Sequence, residues 1–400
     1  MSSLPVKVTL GPRFLKPFSG KPTPFPLSGL FLFSPYVFIR VNGFSPSGMF
    51  KNIGRESLFK RFDAVSKGKK KPAPDVVGAL LQEMFEAFDC PDDVREHFTE
   101  AFEIERALAL QSKTAPAVVG LAQPFGEYEA FFLGINRSAG QLSPSLHQSF
   151  LIDIEKASAL AHQYLMQEAY PQAYEAIVNN ELLKRFVWPD VMVAMKNAAT
   201  QTRYDFLRAL VAFEVHLAHL VIMDHSYEAD CLASDTNALM SVWPTLDKPS
   251  KNPTALLFEW TKAKAGARTI SAFYEHPKLT TIIMEMGTLK RWSSGSNQPD
   301  REWLETLVEA LFGDKAYKPF WHRYYMARAV NFIGYVHQSM TTRINDCLTE
   351  SDRAAIAPWP QLPYGYSDFA TWGRERYSAW RKYACDYQAE HGVSLPKGVS

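Results

Sequence analysis

Between Tyr204 and Asp224 the chain loses the polar face that a surface helix needs. Phe206, Leu207, Leu210, Val211, Phe213, Val215, Leu217, Leu220, Val221, Ile222 and Met223 leave no side free of apolar groups, and a soluble helix of that kind belongs in the middle of a bundle. The segments around it are amphipathic at helical spacing. Trp303, Leu304, Leu307, Val308, Leu311 and Phe312 form one stripe, with Glu302, Glu305 and Glu309 off it. Leu182-Leu183 with Phe186-Val187 form another before a break at Trp188, and Pro171 and Pro189 stand where new helices start. A further helix is predicted about Leu256 to Thr261. Phe320 to Met340 reads as an aromatic-rich helix with Trp321, Tyr325, Val330, Ile333 and Val336 inward and His322, Arg323 and Arg328 on its polar side. A last helix is capped at Ser367 or Asp368. The stretch from Ser112 to Pro144 has another character. Pro116, Gly120, Pro124, Gly126, Gly134 and Gly140 punctuate it, so it reads as an irregular connector with a short hairpin. The fold class expected is mainly α, a helical bundle.

One corner recurs in this pattern. Trp292 is followed by Gly295, suited to the left-handed position that ends a helix, and by Pro299 and Asp300, suited to the first turn of the next. Nearer the start, Ser66, Gly68 and Pro72 repeat the spacing of Ser293, Gly295 and Pro299. After each proline, apolar residues fall at the same offsets: Val76, Val77, Leu80, Leu81, Met84 and Phe85 match the stripe from Trp303 to Phe312. A Lys-Arg-aromatic triplet precedes each corner, Lys60-Arg61-Phe62 and Lys290-Arg291-Trp292. An internal pair of this kind argues for two related modules.

The spacing W-x-x-G-x-x-x-P-x-x-x-x-L-x-x-L-x-x-x-L in Thr288 to Phe312 resembles the second half of a Cro/C1-repressor-type (XRE) helix-turn-helix domain. There, a recognition helix ends and the next helix braces it. The resemblance spans about one sixteenth of the chain. The first copy departs from it by three extra residues before its glycine, the second by Gly287, which leaves an abbreviated recognition helix. The resemblance implies two helix-turn-helix-like modules that bind DNA. Arg55, Ser57, Lys60 and Arg61 would line the recognition helix of the first, and Thr288, Lys290, Arg291, Ser293 and Ser294 that of the second. All are types that meet phosphates or base edges. Lys67, Lys69, Lys70 and Lys71, in the loop around Gly68, would lie against a duplex backbone. Arg268 to His276 and Pro277 to Met286 would be the first two helices of the second module.

On this reading the chain divides into an extended basic, proline-rich arm (1–30), a first module (31–111), the connector (112–144), a central bundle (145–250), a second module (251–345) and a C-terminal aromatic and basic helix (346–400). Within 31–111, Asp92 to Leu110 is expected to be helical.

Charge sharpens that division. The net charge is +1, yet up to Lys71 the only acidic residues are Glu56 and Asp63, whereas Asp75 to Glu105 holds a single base, Arg95. A basic arm before an acidic helical face suits a nucleic-acid contact surface; a solvated extended tail has the same composition. In the last helix Trp372, Arg374, Arg376, Trp380, Arg381, Lys382 and Tyr383 interleave rings with positive charge. Stacking on nucleic acid is one reading. The other, preferred here, is a docking helix whose rings enter the core while its arginines stay wet.

The four cysteines, Cys90, Cys231, Cys347 and Cys385, lie far apart with no C-x-x-C pair. They are read as reduced, mostly buried thiols of a cytoplasmic protein, excluding a zinc ribbon or disulfide scaffold. No apolar run is long enough to span a bilayer, since Leu27 to Phe44 is interrupted by Pro35, Arg40 and Gly43, so no membrane partner is expected.

Catalytic signals are sparse. His216 and His219 share one side of the central helix, with Glu214 nearby and Asp224, His225, Glu228 and Asp230 at its end. Imidazoles three residues apart can share a divalent metal if other helices add ligands. The spacing is neither H-E-x-x-H nor the E-x-x-H of di-iron bundles, and buried, hydrogen-bonded histidines explain it more cheaply. A phosphate-binding loop and a G-x-S-x-G elbow are both missing. No cofactor is expected, and nothing in the sequence asks for catalysis. The functional expectation is a DNA-binding protein, regulatory or structural, of a phage, plasmid or defence system. Two alternatives stand beside it: a scaffold for protein partners or self-association, and a metal-dependent enzyme centred on His216 and His219.

Overall fold

The computed structural model describes residues 54–66, 74–87, 144–167, 169–188, 200–230, 237–245, 252–280, 282, 285–295, 301–347, 350 and 369–391. The basic arm, the lysine loop 67–71, the helix expected at Asp92 to Leu110, nearly all of the connector and the turn at Pro299 lie outside them. Of the described residues 80% are helical and none is in a strand.

The helices, in chain order, are α1 (Glu56–Ser66), α2 (Pro74–Ala87), α3 (Leu146–Met166), α4 (Tyr170–Val178), α5 (Thr200–Asp230), α6 (Ala238–Val242), α7 (Pro253–Lys264), α8 (Ile270–Tyr274), α9 (Met286–Ser293), α10 (Arg301–Phe312), α11 (Lys318–Cys347) and α12 (Phe369–Glu390). Short 3-10 turns stand at Leu183–Phe186 and Pro277–Leu279.

The all-apolar run becomes α5, and every residue from Leu210 to Ile222 is buried. A helix hidden on all sides needs neighbours on all sides. α3, α4 and the first 3-10 turn cover one flank, α6 and α11 a second, and α12 a third. Asn180 sets the corner between α4 and the first 3-10 turn: its Oδ1 accepts from the backbone N–H of Leu182 and Leu183, at 2.9 and 3.0 Å, and its Nδ2 donates to the Ala157 carbonyl. That turn drives Phe186 into the core, where its ring lies 4.9 Å from Trp380 of α12.

A single apolar cluster runs from Leu146 of α3 to Tyr387 of α12. Leu289 and Trp292 of α9 and Leu304, Leu307, Val308 and Leu311 of α10 belong to it. The stripe that sequence spacing predicted on α10 is therefore the buried one. The buried leucines of the α1–α2 pair, Leu58 and Leu80, lie apart from that cluster.

Three expectations change. The helices expected at Arg268 to His276 and Pro277 to Met286 shrink to the five residues of α8 and the three-residue turn Pro277–Leu279. Proline disfavours helical geometry in the residue before it; His276 is extended, with ψ 131°. The Thr280-Thr281-Ile282-Ile283 run that follows is β-branched, which lowers helix propensity. Secondly, His322, Arg323 and Arg328 do not form a polar side of α11, for all three are buried. Arg323 donates to Ser241 Oγ and the Pro319 carbonyl, each at 3.1 Å, and lies 4.4 Å from the Trp260 ring centroid. A guanidinium so paired and stacked tolerates burial. Cys385, expected with the mostly buried thiols, is exposed and free.

Gly295 closes α9 with φ +69°, in the left-handed region foreseen for it. The position carries a second constraint. Asn252 caps α7 by accepting from Ala255 N at 3.0 Å and donates its Nδ2 to the Gly295 carbonyl at 2.7 Å. A Cβ on Gly295 would overlap that amide. Gly313 has φ +79° but open space around it. Gly313→Ala is therefore expected to cost about 1–2 kcal/mol from the left-handed backbone alone. Gly295→Ala should cost about 1–3 kcal/mol more, by displacing Asn252 from two buried hydrogen bonds. Urea unfolding of both variants checks this, and equal losses would remove Asn252 from the account.

Candidate nucleic-acid interface

α9 has one face fastened to the core and one in solvent. Leu289 and Trp292 are its buried residues, and the Trp292 ring meets Trp303 of α10 edge-on at 4.4 Å. Lys290, Arg291 and Ser294 are exposed, whereas Thr288 and Ser293 are half-buried. Arg291 Nη2 donates to Thr288 Oγ1 at 2.9 Å, so these two predicted residues act together. Ser293 and Ser294 spend their hydroxyls on the Lys290 and Arg291 carbonyls, at 3.0 and 2.9 Å. They close the helix end rather than reach outward, as serines near helix ends commonly do.

On α1 and just before it, Arg55, Ser57, Lys60 and Arg61 are all exposed. Arg61 is committed to a neighbour: its Nη1 reaches both carboxylate oxygens of Glu83 on α2, at 2.7 and 3.0 Å. Both side chains are about half exposed, so the pair adds little to stability. Lys67, Lys69, Lys70 and Lys71 lie outside the described residues.

The two metal candidates lie in the interior. His216 and His219 are inside the bundle, 5% and 7% exposed. His219 stacks parallel to Phe150 at 6.4 Å, and the His147 ring stands 5.8 Å away. Among the described residues no three His, Cys, Asp or Glu side chains are placed to hold a metal ion. Burial disfavours the protonated form of two of these rings, His147 and His219. Desolvation, and then the nearby His322, lower His147 to about 4; desolvation, then His147 and His216, push His219 well below its ordinary value.

Sequence reading named Glu214 and Asp224 beside the histidines, but not the polar networks that these two carboxylates anchor. Glu214, fully buried on α5, accepts from Trp188 Nε1 at 3.1 Å and Trp380 Nε1 at 2.6 Å, and Arg376 Nε reaches both its oxygens at 3.0 and 3.1 Å. The Arg376 guanidinium lies over both indoles, 5.1 Å from Trp188 and 5.5 Å from Trp380. Nearly three turns further along α5, Asp224 accepts from His322 Nε2 at 2.9 Å, from Leu239 N in the first turn of α6 at 3.1 Å, and from the Tyr377 hydroxyl at 3.3 Å. Tyr227 stacks on His322 at 3.9 Å. A clue was present in the sequence, since Arg376 and Trp380 stand one helical turn apart. Their partner is 162 and 166 positions away, which no local pattern conveys.

α12 is accordingly a docking helix. Trp380 is buried and Arg376 is held by Glu214, so neither is displayed for stacking on a nucleic acid. The preferred reading needs one change: Arg376 is drawn towards Glu214 and keeps only 28% of its side chain exposed. No described helix is long and apolar enough to cross a membrane. No protein-family model, no curated protein and no solved structure matches the chain.

Proposed function

We propose that this chain binds duplex DNA through the solvent face of α9, aided by the cationic side chains of α1. The observation that carries the reading is the way Lys290 and Arg291 are presented. They stand exposed on a helix whose opposite face, Leu289 and Trp292, is set in the core, and whose end is fixed by Gly295 and Asn252. Charges held on a rigid element lose less freedom on binding than charges on a loose loop. Eight residues of helix extend about 12 Å, close to the width of a major groove. The resemblance to helix-turn-helix domains of the XRE type points the same way, with Lys290 and Arg291 on backbone or base edges. Regulation, or a structural part in a phage, plasmid or defence system, is the role such binding would serve.

A second reading has its own observation. α8 and the Pro277–Leu279 turn are too short to be the leading helices of such a domain. That favours a scaffold which keeps the outline of a helix-turn-helix for protein partners or self-association.

The two readings differ in salt dependence. Fluorescence anisotropy of the full chain with random duplex DNA, at 50 and 200 mM salt, is expected to show affinity falling steeply as salt rises, because each phosphate contact releases counterions. Changing Lys290 and Arg291 together to alanine should weaken binding by about tenfold or more and make the salt slope shallower by about two. Binding that ignores salt, or no binding, gives the question to the scaffold.

A further inference from the structure

We propose that Arg291, braced by Thr288, is the residue of α9 that reads guanine, and that Lys290 next to it serves a phosphate; the inference rests on α9 being a DNA-binding helix. α9 begins at Met286, so Gly287 and Thr288 belong to its first turn. Arg291 follows one turn later, and its side chain lies back over that first turn, as long side chains on helices do. Two distances show this. Nη2 donates to Thr288 Oγ1 at 2.9 Å, and Nη1 stands 3.7 Å from the point that a Cβ on Gly287 would occupy. The guanidinium is therefore laid along the outer surface of the helix, where Gly287, Lys290 and Arg291 are all exposed. It lies towards the end of α9 away from Gly295, whose carbonyl Asn252 holds.

Orientation separates the two cations. On its major-groove edge guanine presents two acceptors, N7 and O6, side by side, and a planar guanidinium meets both at once. Adenine offers a donor in place of the second acceptor, so the same approach fails there. A guanidinium whose plane and direction are set beforehand loses little further freedom on binding. Thr288 does the setting. It is half-buried, its branched side chain is stiff at χ1, and its hydroxyl takes one of the five N–H groups that a guanidinium carries. A phosphate asks for charge more than for a plane, which suits the ammonium of Lys290 on its flexible stem. Ser293 and Ser294 spend their hydroxyls on backbone carbonyls of α9 itself. Of the polar side chains on this face, Arg291 is thus the one whose shape can tell one base from another.

The experiment incubates the full chain with a library of random-sequence duplexes and sequences those that are retained. Guanine should be enriched at one position by about tenfold or more over the other bases. Arg291→Lys keeps the charge, so affinity for unselected duplex should stay within about threefold while the enrichment disappears. Thr288→Val keeps the shape and the charge but releases the guanidinium, and should reduce the enrichment several-fold. Lys290→Ala should weaken all duplexes alike, make the salt slope shallower by about one and leave the enrichment in place. Arg291 and Lys290 are exposed and off the buried face of α9, so neither change removes a core contact. Duplex binding without guanine enrichment overturns the role given to Arg291 and leaves DNA binding itself standing. Enrichment that Arg291→Lys does not alter overturns it equally. A chain that retains no duplex at all removes DNA binding and, with it, this role.

Discussion

Replacing Arg376 by alanine is expected to destabilise the chain by about 3 kcal/mol or more, the usual cost of leaving one partner of a buried ion pair behind. Glu214 has no exposed surface on which to recover hydration. The Trp188 and Trp380 indoles would still donate to it, which places the loss at the lower end of the range for such pairs. The cation that balances the carboxylate, and that fills the space between the two indoles, would be gone. Glu214→Gln removes the charge while keeping the shape. In a double-mutant cycle the pair of changes should therefore cost clearly less than the two single costs added. Urea denaturation with unchanged m-values is the measurement. A loss below about 1 kcal/mol for Arg376→Ala would mean that the pair contributes no more than a surface contact.

Stability is also expected to fall as the medium is acidified from neutrality. An unfolded histidine takes up its proton near pH 6.5, while native His147 does so only near 4, and His219 is lowered too. Between those values the unfolded chain binds more protons than the native one, so stability declines with falling pH and is regained as pH rises. Each such histidine contributes a slope of up to about 1.4 kcal/mol per pH unit. Over its whole window His147 amounts to about 3 kcal/mol, as an upper figure because part of its surface remains accessible. The slope is half its full size at pH 6.5 and fades above about pH 7.5. Urea titrations at pH 7.5, 6.5, 5.5 and 5.0 test this, with His147→Asn and His219→Asn as comparisons whose slopes should be shallower. Slopes identical to that of the unaltered chain would show that these two imidazoles are not kept neutral by the fold.

Much of the architecture was legible before any coordinates, for a reason particular to each element. α5 was visible because apolar residues on every side of a long segment admit only one location. α10 was visible because a stripe with glutamates opposite reports directly which face is buried. Gly295 was visible because a helix that turns sharply after a tryptophan needs a residue free to take positive φ. Each of these signals is local. The failures were local signals overruled by context. His322, Arg323 and Arg328 look like a wet face in isolation, and they are buried because Asp224, Trp260, Ser241 and Tyr324 meet them there. The leading helices of the second module were extrapolated from a resemblance, while Pro277 and the β-branched run after it opposed them.

What the chain determined by itself is its class and its punctuation: a mainly helical bundle around α5, with helix ends where glycine, proline and asparagine stand. These follow from backbone preference and from the periodicity of burial, both properties of neighbouring residues. Which carboxylates would meet which indoles and guanidinium, and that burial would disfavour the protonated forms of His147 and His219, only the tertiary structure decided. Such interactions depend on distances between groups more than a hundred positions apart and on the water excluded around them, and neither quantity exists until the helices have packed.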